Sequence, residues 1–435
     1  MSTQPKLSLF AAILININIM MGSGIFINTV VLSKQAGSLG SAVYVLVGIL
    51  LLPLILAIAQ LLKYHPNGGT VYHFGASVHP YMGFISGWSY FTAKLASCGL
   101  GVHVCISFLQ EMIPALKAIP ILGLDTFVIL AFAALNMLNL RLGQTIQYCF
   151  MGLKLVPILF AIIVGIFLFS GGNFSSNTFL WTGVPTSIPL VLYAFSGFEA
   201  SCSLSAYIEN SERNGPRAIL ISYLLVISIV TLYQTMFFGA LGMQLSALPD
   251  YRQAFPALLS IYLPASSVVK NILITLLHFG IASSSLGASY GILYSNSWNL
   301  YALAQNKHIF GHTILTKLNK HAIAYMCVVV EAILAIAYLL LAWGQQIPLQ
   351  QVSAFGATVT YTLSAFALLI IVYRRHRKIS LTALCSIASC SLLIGSFVWS
   401  IARNGIATLL VLFLGLLALG SFMFYTQRPN ISNEV

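Results

Sequence analysis

Hydrophobic positions in this chain fall into long blocks, not into alternating or narrowly striped patterns. Cutting at polar, glycine and proline clusters leaves apolar runs over 9–33, 40–62, 81–110, 122–140, 145–170 and 185–208 in the first half. The second half holds runs over 217–243, 268–303, 322–343, 350–373, 380–401 and 404–426. A helix needs roughly 20 residues to cross a hydrocarbon core about 30 Å thick, so the pattern predicts an all-α polytopic membrane protein with about twelve spans. A barrel is the wrong pattern, because its strands alternate over about ten residues. The runs starting at 81 and 268 are the longest, which predicts strong tilt or extension past the bilayer. The first run, from near Leu7, is too long for a signal-peptide core and lacks a small-residue cleavage site, so it reads as a retained helix.

Composition narrows the class. The 435 residues are 59% hydrophobic and 6% charged with a mean hydropathy of +0.92, whereas soluble domains carry roughly a quarter charged residues. A net charge of +12 raises the question of a nucleic-acid partner. The basic residues, however, are scattered among short loops, so none is expected and the charge reads as a topology signal. With the N-terminus inside, 13 Lys and Arg fall in inner segments and 5 (Lys34, Lys117, Arg252, Lys270, Arg403) in outer ones; Lys94 and Lys154 fall within spans. Both termini are thus expected in the cytoplasm, and the short termini favour a bacterial inner membrane.

Seven cysteines lie in apolar runs with no CxxC pair or companion histidine, so buried packing is expected, with no metal and no cofactor. No loop is long enough for a soluble domain, and neither HExxH nor GxSxG occurs. An enzyme is therefore not expected. A channel would show polar lining over several spans, and here polarity concentrates at two places.

Those places are marked by ionisable residues and glycines. A charge at mid-membrane costs at least about 2.5–3.5 kcal/mol, so Lys94, Lys154, Glu199 and Glu331 are candidates by default. His103 and His278 read as packing or local hydrogen-bonding groups. Gly22 and Gly24 interrupt the first run, and Ser196 and Gly197 interrupt the sixth just before Glu199. Small residues also serve close helix packing. Paired interruptions at matching positions of two five-span blocks, however, point to the substrate site of an inverted-repeat transporter. Broken helices free backbone groups at mid-membrane: a new N-terminus offers donors to an anion, and the preceding C-terminal end offers carbonyls to an ammonium. Two such breaks make a receptor for a zwitterion.

Several stretches carry a resemblance. "GSGIF" (22–26), "PNGGTVYHFGASVHPYMGFISGWSYF" (66–91), "YAFSGFEAS" (193–201), "ENSERNGPRAI" (209–219) and "LYALAQNKHIF" (300–310) occur in order. The chain thereby resembles the amino acid, polyamine and organocation superfamily of secondary transporters over nearly its whole length. It departs from that family's "NPxRxxP" by placing Ser211 where proline is usual. The resemblance implies a leucine-transporter-like fold: two inverted five-helix repeats (9–170 and 185–373) with broken helices 1 and 6, plus two added helices (380–426). It implies an amino acid or related amine as substrate, moved by alternating access through proton-coupled symport or exchange. The alternatives are an exchanger of arginine- and agmatine-like cations and, further off, a transport-dead sensor.

Position by position, the resemblance places the substrate carboxylate at Ser23, Gly24 and Ile25, beside Gly22, which also belongs to the substrate-binding break. It places the amine at carbonyls of Met20, Tyr193 and Ser196 beside Gly197, with Tyr193 or Phe195 as the closing aromatic. Lys154 stands where sodium-independent relatives carry a lysine, its ammonium replacing a sodium ion that bridges helices 1 and 8. It is expected to act as a proton carrier or a fixed charge, with no sodium dependence either way. Glu199, about one helical turn past Ser196, matches a pH-sensing glutamate of cation exchangers, or else is a structural partner of Lys94. Glu199→Gln is accordingly expected to shift or flatten the pH profile of transport. Lys94 is expected to pair with Glu199 or Glu331, and Glu331 to be a hydrogen-bonding group outside the site. Glu199 hints at cationic substrates and the apolar lining fits neutral ones, so both classes stay open, as does the oligomeric state.

Overall fold

Backbone N–H and C=O groups find no water in hydrocarbon, so long apolar runs satisfy them internally as helices. The computed structural model describes residues 6–65, 70–138, 140–264, 266–404 and 408–432, with side chains described throughout these except at 140–144, 404 and 428–432. Residues 66–69 of the quoted stretch, the side chains of Arg141 and Arg428 in the charge count, and residues 405–407 of the last run lie outside that description.

The first run becomes two helices, α1 (Leu9–Met20) and α2 (Ser23–Ala36). There follow α3 (Gly40–Tyr64), a short α4 (Val71–Ala76), α5 (Pro80–Met112), α6 (Ile121–Asn136) and α7 (Leu140–Leu168). The second half opens with α8 (Val184–Phe195), α9 (Ala200–Ser203) and α10 (Ser211–Leu241). Two short helices, α11 (Gln244–Ala247) and α12 (Ala254–Leu259), lead into α13 (Val268–Gln305), the longest. The chain ends with α14 (His312–Leu315), α15 (Tyr325–Leu341), α16 (Gln346–His376), α17 (Leu381–Asn404) and α18 (Thr408–Ser432).

Among the described residues, eight helices are long and apolar enough to cross a membrane: α3, α5, α7, α10, α13, α16, α17 and α18. The bent pair α1 and α2 makes a ninth candidate, and α6 and α15 are shorter apolar helices of 16 and 17 residues. The run at 185–208 is not one helix. It stops at Phe195, turns through 196–199 and resumes for four residues, because Gly197 sits at φ +129°, a conformation that side-chain-bearing residues rarely adopt.

α5 is the hub, buried over nearly its whole length and packed along α13 and α16, while α18 lies at the periphery. The segment before α1 is tied down at the end of the second broken run: the Leu7 N–H donates to the Tyr207 carbonyl (2.6 Å) and the Glu209 N–H to that of Leu7 (2.9 Å). Five cysteines are buried as expected, but Cys149 and Cys385 are exposed on outward helix faces, where a thiol needs no packing partner if lipid covers it.

Candidate functional site

α1 begins with Ser8, whose Oγ accepts from the Ala11 N–H (3.2 Å), and it needs no proline to end. At Met20 the chain leaves the helix for two residues and bends by 41° into α2. Gly22 fills this corner because α13 passes closely: a Cβ on it would lie 2.8 Å from the Cβ of Ala288. α2 then starts without a side-chain cap, and among the described residues the N–H groups of Ser23, Gly24 and Ile25 have no acceptor. This is the unpaired donor set of a helix N-terminus.

Two asparagines hold the two broken runs together. From α1, Asn16 Oδ1 accepts from both the N–H (3.1 Å) and the Oγ (3.0 Å) of Ser201, capping α9 from another helix. From α2, Asn28 Nδ2 donates to the Leu190 carbonyl of α8 at 2.9 Å. Polar residues in an apolar run, as in "NIN" at 16–18, were the available signal for this clamp.

Between the breaks lies a small cavity. Of the expected site residues, Met20, Gly22, Ser23, Gly24, Tyr193 and Ser196 line it. Its other walls are Ile19, Lys94, Ser97, Gly101, Ala288 and Ile292, of which only Lys94 stood out in the sequence. Ser97 and Gly101 follow Lys94 on one face of α5, so an i, i+3, i+7 reading from Lys94 would have found them. Ile25, Phe195 and Gly197 do not line the cavity. Phe195 points the other way, edge-on to Tyr44 (centroids 5.6 Å apart) and Tyr223 (6.0 Å), which leaves Tyr193 as the aromatic at the site. Gly197 lies against Ile19, where a Cβ would come within 2.7 Å of the Ile19 side chain.

The carbonyls expected for an amine are partly engaged. Met20 O accepts from the Gly22 N–H (3.0 Å), and Tyr193 O accepts from the Ser196 hydroxyl (2.9 Å) and N–H (3.2 Å). A carbonyl has two lone pairs, so Met20 O retains acceptor capacity while both lone pairs of Tyr193 O are taken within its own turn.

Lys154 stands behind the first break, outside the cavity lining. Its Nζ donates to the carbonyls of Asn18 (2.7 Å) and Met21 (2.6 Å), and Ser284 of α13 donates to the same Met21 oxygen (2.9 Å). One ammonium from α7 thus caps the C-terminal end of α1, where the helix dipole favours a cation, and shares its anchor with α13. Beside it, Asn18 Nδ2 donates to Gln147 Oε1.

Glu199 also stays out of the lining. Its Oε1 lies 3.0 Å from Lys94 Nζ, and its Oε2 accepts from the Gly197 N–H at 2.9 Å. Lys94 pairs with Glu199, not with Glu331, and also donates to Ser196 Oγ at 3.3 Å. Glu331 is fully buried on α15, and neither of its oxygens has a hydrogen-bond partner among the described residues. His103 does make a local bond, to Asp125 Oδ2 of α6 at 2.8 Å. Asp125 is fully buried yet was not singled out, because it stands at the very start of its run and its partner is 22 residues away. His278 likewise bonds the Arg252 carbonyl at 3.1 Å.

Comparison with known proteins finds transport proteins. The aromatic amino acid transport protein AroP of Escherichia coli (strain K12) is 21% identical over 367 residues, covering 80% of this chain and 75% of its own. The AroP of Salmonella typhi matches over the same extent at the same identity. The amino-acid permease RocC of Bacillus subtilis (strain 168) is 25% identical over 331 residues, 70% of this chain and 66% of its own. With the family model described as amino acid permease matching residues 7–434, this integral membrane chain belongs to the amino acid permease family.

Proposed function

We propose that this protein is a secondary transporter that moves an amino acid across a bacterial cytoplasmic membrane by alternating access, without sodium. The observation that carries the reading is the cavity closed between two helix breaks, with the free N–H groups at the start of α2 on one side and Tyr193 and Ser196 on the other. In this reading the substrate carboxylate meets the N–H groups of Ser23 and Gly24, and the amine meets the carbonyls of Met20 and Ser196, with that of Tyr193 available only if Ser196 releases it. Twelve spans follow if the broken 184–203 segment and the two shorter apolar helices each cross once. Residues 9–170 and 185–373 then form the two inverted repeats, with 380–426 appended and both termini inside. From AroP and RocC the proposal takes only the class, amino acid.

Lys154 supports the sodium-free reading. Its ammonium already occupies the carbonyl cluster at the end of α1, so a metal cation there would face a positive charge. Whether transport is proton symport or exchange turns on whether that ammonium releases its proton during the cycle.

Counterflow tests this directly. Proteoliposomes preloaded with a mixture of the twenty amino acids are expected to accumulate a labelled neutral amino acid saturably in sodium-free buffer. An imposed sodium gradient is expected to leave the rate unchanged. Uptake that requires sodium overturns the role given to Lys154, and absence of counterflow for every amino acid overturns the carrier itself.

A further inference from the structure

The cavity wall holds a charge arrangement that bears on the substrate. Lys94 is 2% exposed and Glu199 1% exposed, so neither is screened by bulk water. Both carboxylate oxygens of Glu199 are engaged, one by the Lys94 ammonium at 3.0 Å and the other by the Gly197 N–H at 2.9 Å. The ammonium, in contrast, has three donors. It forms an ion pair with Glu199 and donates one hydrogen bond, to Ser196 Oγ at 3.3 Å; its Nζ stands 5.2 Å from the centre of the Tyr90 ring, and Lys94 itself lines the cavity. Among the described residues, the carboxylate at the break is therefore already paired with a residue of the same chain, and the member of that pair that lines the cavity is the ammonium. Lys154 places a second ammonium at the back of the same break.

Resting on the reading of this cavity as the substrate site, we propose that Lys94 is the specificity-determining residue: it occupies the place a substrate's side-chain cation would take and excludes amino acids and amines that carry one. A basic amino acid or a diamine must either displace Lys94 from Glu199 or bring a like charge beside it in a medium that screens poorly. An uncharged side chain meets neither obstacle, and its polar atoms can use the third Lys94 donor. Discrimination of this kind works by repulsion, not by better contacts to the accepted substrate.

The test is competition for counterflow in proteoliposomes. Against a labelled neutral amino acid, unlabelled neutral amino acids are expected to compete, while lysine, arginine and agmatine compete at least about tenfold more weakly. Basic competitors as strong as the neutral ones overturn the inference and leave the carrier reading standing, whereas no counterflow at all removes the carrier reading itself. Lys94→Met frees the Glu199 carboxylate, and the ratio of basic to neutral uptake is expected to rise about tenfold or more; an unchanged ratio overturns the assignment to Lys94. Lys94→Gln, which keeps a donor to Ser196 without the charge, is the second variant if the methionine form does not fold. Thermal melting adds a readout independent of transport. Lysine or arginine at millimolar concentration is expected to raise the melting temperature of the variant and not that of the wild type, and the reverse pattern overturns the proposal.

Discussion

Gly24→Ala is expected to lower amino acid uptake about a hundredfold, the scale set by a misplacement near 1 Å in a positioned site, while the protein remains folded and inserted. A Cβ at Gly24 would lie 2.8 Å from both Cδ1 and Cε1 of Tyr193 and 3.4 Å from the Cα of Ala194. The ring can move, since it borders a cavity, but only into the space where a substrate would lie. Alternatively α2 withdraws from α8 and carries its free N–H groups away from the site. Overpacking of this kind costs about 1–3 kcal/mol of stability, too little to unfold a protein of this size. Gly395→Ala in α17 is the control: a Cβ there meets nothing within 4 Å, and uptake is expected to be unchanged. If Gly24→Ala transports at the wild-type rate, the break at 21–22 is a packing device and the cavity is not the substrate site. The contacts show why packing and binding are not rival accounts of these glycines, since the atoms that crowd Gly24 belong to the aromatic residue facing the cavity.

The helices were legible because hydrocarbon imposes one pattern, a long unbroken apolar run, and the runs at 81–110 and 268–303 match α5 and α13 to within two residues at each end. The breaks were legible from glycine, because Gly22 and Gly197 occupy corners where α13 and α1 leave no room for a side chain. Side-chain direction was not. Phe195 and Tyr193 are two residues apart and therefore point about 200° apart around a helix, yet nothing in their order says which of them faces the break. Long-range pairing was equally hidden: Lys94 and Glu199 are more than a hundred residues apart, and Lys94 had two candidate partners until α5 and the turn at 196–199 were placed side by side. Asp125 escaped notice for a related reason. Near the end of an apolar run a carboxylate reads as an interfacial group, and only the approach of His103 from α5 shows it to be interior.

Glu199→Gln, expected from the sequence to alter pH dependence, is also expected to be the most destabilising single change at the site, by about 3–5 kcal/mol, because it leaves the Lys94 ammonium buried without a counter-charge. Lys94→Met is expected to cost a similar amount by stranding the carboxylate. The double variant Lys94→Met/Glu199→Gln should recover most of the loss, since replacing both members of a buried pair by neutral groups is often neutral or stabilising. Thermal or denaturant unfolding of the four proteins in one detergent gives the coupling energy by a double-mutant cycle. A coupling of several kcal/mol identifies a dry pair. A value below about 1 kcal/mol, the range of solvated pairs, means that water reaches Lys94 and Glu199, and the arrangement of fixed charge around the cavity no longer holds. Transport assays on the same four proteins then separate structure from pH sensing. If the Glu199 carboxylate senses pH, both proteins lacking it show a flattened pH profile whatever their stability. If Glu199 serves only to hold Lys94 in place, the stable double variant keeps a pH profile of normal shape.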